Sequence, residues 1–175
     1  QCIEACGGRA SLGAGEVRIV ILGCGRVGST LAAILTGEGH HVSVIDRDQG
    51  AFDKAVQRLG PGFTRETVRG IGIDEDTLRQ AGIEEADAFV SVTNGDNTNI
   101  VAAQIAVHRF KVPRVIARVY DPIRAQAYQE AGIHTVCSTT LGAGLFHDLL
   151  LGRPLRNVQD YLDTIAPQII HRQEV

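Results

Sequence analysis

Three features of the sequence predict an α/β fold with a doubly wound, six-stranded, mainly parallel sheet and helices on both faces. Short β-branched runs alternate with longer amphipathic stretches, turn-forming residues punctuate them, and a glycine-rich turn follows the first run. The runs at 17–22, 41–45, 67–69, 88–92, 115–119 and 135–137 are the expected strands.

The helices follow from apolar spacing and from their start and stop residues. A helix over 26–36 stops at Gly37 and Gly39, and Asp48 is placed to cap one over 49–59. Asp74 or Asp76 caps a helix that ends at Gly82, and Asp96 or Asn97 opens one over 98–110. Asp121 precedes Pro122 at a first helical position, with a stop near Gly132, and a last helix is expected over 141–151. Gly152, Arg153 and Pro154 then break the pattern. The expected organisation is a flexible leader over 1–16, a nucleotide-binding domain over 17–151, and a linker or C-terminal extension over 152–175.

Composition narrows the function classes. At 175 residues the chain is of ordinary single-domain size, and its formal charge of −3 is spread without a basic block, which argues against nucleic acid as a partner. No apolar run reaches the roughly 18 residues a spanning helix needs, so direct membrane insertion is not expected. Cys2, Cys6, Cys24 and Cys137 suit a cytoplasmic thiol state, and the Cys2–Cys6 pair lacks the second pair or the histidine that a metal site requires.

The chemistry-bearing signal is Gly23-Cys24-Gly25-Arg26-Val27-Gly28, placed after a strand and opening a helix, the Rossmann-type arrangement. The first glycine permits a tight turn, the second lets phosphate approach the backbone, and the third lets the helix pack closely on the strand. Free N–H groups and the positive helix end then face the phosphates. About 20 residues on, Asp46 ends the second strand, followed by Arg47. A carboxylate there accepts hydrogen bonds from both ribose hydroxyls and repels a 2′-phosphate, which favours an adenosine ligand without one. Thr93, Asn94, Asp96 and Asn97 follow the fourth strand, where open α/β sheets bind ligands. Arg26 adds a guanidinium fork suited to a di- or triphosphate, and Arg118 ends the fifth strand.

Catalytic motifs are missing: there is no nucleophile elbow, no Walker lysine and no histidine pair at metal-binding spacing. A small NAD(H)-dependent oxidoreductase or redox sensor remains the alternative; a thiol at a helix start, as at Cys24, can be redox-sensitive, but a small loop residue is the better reading of it.

With these residues in place, the chain from about 17 to 151 resembles the N-terminal domain of TrkA/KtrA-type potassium-transport regulators, also called the RCK N-terminal, KTN or TrkA-N domain. The resemblance is carried by the stretch from Val20 to Gly28, by Val44-Ile45-Asp46-Arg47-Asp48, by Ala81 to Ala88, by Val92 to Asn99 and by Ile116 to Pro122. It implies a non-enzymatic, cytoplasmic regulator that forms a homodimer or a higher ring. Such a regulator binds ATP, ADP, AMP or NAD(H), acts on a membrane potassium channel or transporter subunit, and is held peripherally at the inner membrane face by that partner. By motif match Arg26 falls at the loop arginine for terminal phosphates, Asp46 at the ribose acid, and Arg118 at the arginine after the fifth strand. One departure is Gly70-Ile71-Gly72-Ile73-Asp74, where many relatives carry Gly-Asp-Ala, so that an aspartate expected near the adenine is Ile71 here. The last helix, rich in leucine and containing Phe146, is too apolar for a small monomer and is expected to bury in an oligomer.

Overall fold

A computed structural model describes residues 15–162. The leader expected over residues 1–16, with Cys2 and Cys6, lies almost wholly outside them, as does the chain after Leu162. Six strands, β1 (Arg18–Leu22), β2 (His41–Asp46), β3 (Glu66–Arg69), β4 (Ala88–Ser91), β5 (Arg114–Val119) and β6 (Thr135–Cys137), form one all-parallel sheet in the order β3-β2-β1-β4-β5-β6. The helices are α1 (Arg26–Gly37), α2 (Gln49–Leu59), α3 (Glu75–Gln80), α4 (Asp96–His108), α5 (Pro122–Glu130) and α6 (Ser138–Leu150). This is the Rossmann-like, doubly wound order, in which the direction of winding reverses between β1 and β4. Right-handed crossovers place α1 and α2 on one face and α4 on the other.

β1 and β2 read as nearly continuous apolar runs because both faces of a central parallel strand are covered. Ile21, Val42, Val44 and Ile45 are fully buried, and Phe52, Ala55 and Phe63 share one cluster with Ile21, Val42 and Val44. β1 pairs in register with β2, Leu22 opposite Ile45, and with β4, Leu22 opposite Ser91. The carboxyl ends of these three strands therefore lie level, and the loops leaving them emerge side by side.

The start signals correspond to real caps. Asp48 accepts from Gly50 N at 2.9 Å, Asp74 from Thr77 N at 3.0 Å, and Asp121 from Ile123 N at 2.9 Å. Two starts differ from expectation. α4 opens at Asp96 with Gly95 as its N-cap, without a side-chain cap, because the preceding loop is already tied down from within the helix; Asp96 stays in the first turn, where its charge suits the helix dipole. α6 begins three residues early, at Ser138, with the Cys137 Sγ accepting from Thr140 N at 3.5 Å. A 3₁₀ turn over Ile83–Glu85, which the periodicity does not announce, leads into β4.

The chain divides after Ala117 into two compact units. In the second, Arg156 forms two bonds to the buried Asp148 carboxylate, at 2.8 and 3.1 Å, and lies over the Tyr161 ring at 4.9 Å. Tyr161 is buried within a helical turn over 158–162. α6 leaves Phe146, Leu149 and Leu150 exposed, Leu150 by 85%, and its C-cap Leu151 is exposed as well. Among the described residues, no helix is long and apolar enough to cross a membrane.

Candidate functional site

The β1–α1 turn is built so that only glycine serves at two of its positions. Gly23 has φ +108°, and a Cβ there would lie 3.0 Å from the backbone N of Thr93. At Gly28 a Cβ would lie 1.8 Å from the Gly23 carbonyl oxygen and 3.1 Å from a Val92 methyl. The turn is thus folded tightly on itself and pressed against the chain leaving β4. Gly25 contrasts with both, since a Cβ there meets nothing within 4 Å. It is the N-cap of α1, no side chain caps that helix, and the first-turn N–H groups of Arg26, Val27 and Gly28 have no intrahelical acceptor. Open space lies over a helix N-terminus, an arrangement that favours an anion.

Asp46 closes the neighbouring side. Its Oδ2 accepts from Cys24 N at 2.7 Å and its Oδ1 from Asp48 N at 3.0 Å. The carboxylate so fixes the turn after β1 and the turn after β2, and each oxygen retains a further lone pair for an outside donor. Arg47 is exposed beside it. Across the turn, Thr93 is held by Asn99 of α4. Asn99 Oδ1 accepts from Thr93 N at 2.9 Å and from Thr93 Oγ1 at 2.7 Å, while its Nδ2 donates to Thr93 O at 3.0 Å. Asn94 and Asn97 are exposed on the same loop and helix start.

The turn after β3 is tied to the same strand ends. Gly70 N donates to Asp46 O at 3.0 Å, and a Cβ on Gly72 would lie 2.1 Å from a Leu22 methyl, so this backbone rests directly on the last residue of β1. Ile71 is 60% exposed on this turn. Asp74, at the end of this turn, is the N-cap of α3. Its carboxylate accepts from Thr77 Oγ1 and N, and those two bonds hold its pKa below the ordinary value.

Gly23, Gly25, Arg26, Val27, Gly28, Asp46, Arg47, Ile71, Thr93, Asn94, Asp96 and Asn97 thus all sit on, or directly beside, the four loops at the carboxyl ends of β1, β2, β3 and β4. Arg26 and Val27 are exposed in the first turn of α1. Arg118 belongs to the second unit, where its guanidinium stacks on the Tyr120 ring at 4.6 Å. Cys24 is buried, and burial, then the Asp46 charge, pushes its thiol up to about 11, which keeps it protonated and poorly nucleophilic at neutral pH.

Sequence reasoning missed two supporting groups. Asn99 is fully buried and organises the Thr93 loop through three bonds. Arg58 of α2 donates to Ser29 Oγ, which in turn donates to Gly25 O at 2.7 Å. This chain runs between two helices, and no local pattern announces it.

The TrkA-N domain matches residues 19–139, from β1 into the start of α6 and across all four loops. The chain belongs to the TrkA-N domain family. The Trk system potassium uptake protein TrkA of Streptomyces coelicolor is 56% identical over 122 residues, covering 70% of this chain and 53% of that protein. This TrkA-N chain therefore spans about half the length of that relative. The crystal structure of the GsuK RCK domain is similar at 28% identity and a TM-score of 0.65, over 83% of this chain and 30% of that one. The crystal structure of GsuK bound to ADP is similar at 29% identity and a TM-score of 0.63, over 77% of this chain and 34% of that one.

Proposed function

We propose that this TrkA-N domain is the nucleotide-sensing part of a cytoplasmic regulator of a membrane potassium channel or transporter, and that it binds without catalysing a reaction. The observation that carries the proposal is the uncapped N-terminus of α1, with open space over Gly25, set beside a strand-end carboxylate at the reversal of strand order. In this reading the phosphates lie on the N–H groups at Gly25 to Gly28, Arg26 reaches the outer phosphates, and Asp46 accepts the ribose hydroxyls and disfavours a 2′-phosphate. Arg47, Ile71, Thr93, Asn94, Asp96 and Asn97 line the remainder. The ligand is ATP, ADP, AMP or NAD(H). The likeness to GsuK bound to ADP supports the ligand class, and the TrkA relative supports the transport role.

A binding site of this kind acts by differential affinity: a nucleotide shifts a conformational equilibrium only as far as it prefers one state. A calorimetric titration, a flux assay and an NADH-consumption assay test the proposal. Calorimetry with ATP, ADP, AMP, NAD, NADH and NADPH is expected to show binding among the ligands without a 2′-phosphate and weak binding of NADPH. Potassium flux in liposomes carrying the membrane subunit and the full-length regulator is expected to change between ATP and ADP. Steady NADH consumption with a small-molecule substrate would favour an oxidoreductase instead.

A further inference from the structure

We infer that Arg58 of α2 is a positioning residue for the nucleotide phosphates: through Ser29 it directs its charge onto the Gly25–Arg26 peptide and so strengthens the first N–H group of α1 as a phosphate donor. The inference rests on the nucleotide reading above and deepens it. α1 and α2 start at the carboxyl ends of neighbouring parallel strands, and Ala32 and Ala55 join them in one core cluster. Ser29 lies one turn into α1 and is fully buried. Side chains of a helix lean toward its N-terminus, so an arginine in the last turn of α2 can reach back to that level. Arg58 does so, and its guanidinium donates to Ser29 Oγ.

The direction of this hydrogen-bond chain is fixed by its parts. A guanidinium has donors only, so the hydroxyl accepts from Arg58 and has its single proton left for Gly25 O, at 2.7 Å. The same carbonyl accepts from Ser29 N at 3.0 Å. Both of its lone pairs are therefore engaged, one of them by a hydroxyl that a cation polarises, and hydrogen bonds in such a chain strengthen one another. Because the peptide group is conjugated, electron density drawn toward its oxygen makes its N–H a better donor. That N–H belongs to Arg26, and it is the first of the α1 groups without an intrahelical acceptor. The charge at the head of the chain is intact, since among the described residues Arg58 donates to the neutral Ser29 hydroxyl and pairs with no carboxylate. Burial and then the Asp46 charge raise the Cys24 thiol, and Arg58 acts against them, so its field reaches into the glycine turn.

The test is calorimetric titration of the intact protein with ATP, ADP, AMP and NAD, in the parent and in Arg58→Ala, Arg58→Gln, Arg58→Lys, Ser29→Ala and the double variant Ser29→Ala with Arg58→Ala. For each ligand that the parent binds, Arg58→Ala and Arg58→Gln should weaken binding by about threefold to tenfold, and Arg58→Lys should recover most of that loss. Glutamine keeps an N–H donor but lacks the charge, so equal affinities in the glutamine and lysine variants would overturn the inference. Ser29→Ala should cost at least as much as Arg58→Ala, and the double variant no more than Ser29→Ala, because the two residues act as one chain; additive losses would overturn the path through Ser29. Binding unchanged in Arg58→Ala would overturn the inference while leaving the nucleotide reading intact, and a parent that binds none of the four ligands would overturn both. Arg58 is exposed on α2, so the glutamine and lysine variants should melt within about 2 °C of each other, which separates a difference in binding from a difference in fold.

Discussion

Replacing Gly25 by alanine separates the proposed role of the β1–α1 turn from its structural role. The residue sits at φ −70° and ψ −168°, extended backbone open to any amino acid, and an added Cβ meets nothing within 4 Å. Two small effects on stability oppose each other. Alanine is a poorer N-cap than glycine by about 0.5–1 kcal/mol, and it restricts the unfolded chain, which stabilises by about 0.4–1 kcal/mol. The net change is within about 0.5 kcal/mol, a shift in Tm of roughly 2 °C or less for a chain of this size. Binding is another matter. The methyl group enters the space over the α1 N-terminus, and a phosphate displaced from one N–H loses a charged hydrogen bond of about 1.5–3 kcal/mol, roughly tenfold to a hundredfold in Kd. Gly28→Ala supplies the contrast. Its Cβ would lie 1.8 Å from the Gly23 carbonyl, so the turn must move, at a cost of about 1–3 kcal/mol of stability before any ligand is added. The assays are thermal melting of the free protein and calorimetric titration with ADP, with adenosine as a phosphate-free control. ADP affinity unchanged in a normally folded Gly25→Ala protein would refute phosphate placement over this turn.

Four further outcomes are expected. Asp46→Ala weakens adenine-nucleotide binding by about 1–3 kcal/mol, measured by calorimetry, and also lowers Tm because the bonds from Cys24 N and Asp48 N are lost; equal affinity in mutant and parent would remove Asp46 from the site. Arg26→Ala weakens ATP more than AMP, and an equal loss across the two would count against its contact with distal phosphates. The Asp148 carboxyl is held down to about 2, first by its bonds from Arg156 and then by His147. Its contribution to stability is therefore complete above an ordinary carboxylate pKa of about 4 and is lost as the pH falls toward 2; acid unfolding followed by circular dichroism should show this loss shrink in Asp148→Asn. Light scattering should find at least a dimer at micromolar concentration, and Leu149→Glu or Phe146→Glu on the exposed face of α6 should shift it toward monomer.

The fold was largely legible because each unit of pattern is local. A β-branched run, an aspartate cap and a glycine stop are separated by a few residues, and Asp48, Asp74 and Asp121 all act as their positions suggest. Strand ends differ by one residue where pairing, rather than composition, decides them, as at Ser91 and Asp46. The glycine turn and Asp46 were legible for the same reason, since their spacing is set by one strand–helix–strand unit. Asn99 was not, because its partner Thr93 lies across a loop whose course depends on the packing of α4. Arg58 acts on Gly25 through Ser29, from a helix whose charged residues otherwise read as a solvated face. Cys24 agrees with its reading as a small loop residue: a helix start can activate a thiol, but burial beside Asp46 has the opposite effect.

The same supporting contacts bear on how such a domain distinguishes one nucleotide from another. The Gly23 turn is fixed by Asp46, and the Thr93 loop is fixed by Asn99, through bonds wholly internal to the first unit. Loops already ordered cost little to organise around a ligand, so in the proposed reading they supply affinity. They supply no difference between ATP and ADP, because they meet the parts those nucleotides share. Discrimination has to come from a group that is not preorganised and that reaches beyond the shared portion, and in the first turn of α1 that group is the exposed Arg26 side chain. An equilibrium driven by ATP against ADP therefore depends on where Arg26 goes when the outer phosphate is missing. A variant that keeps the turn intact and removes only that side chain should still bind adenine nucleotides while responding alike to both.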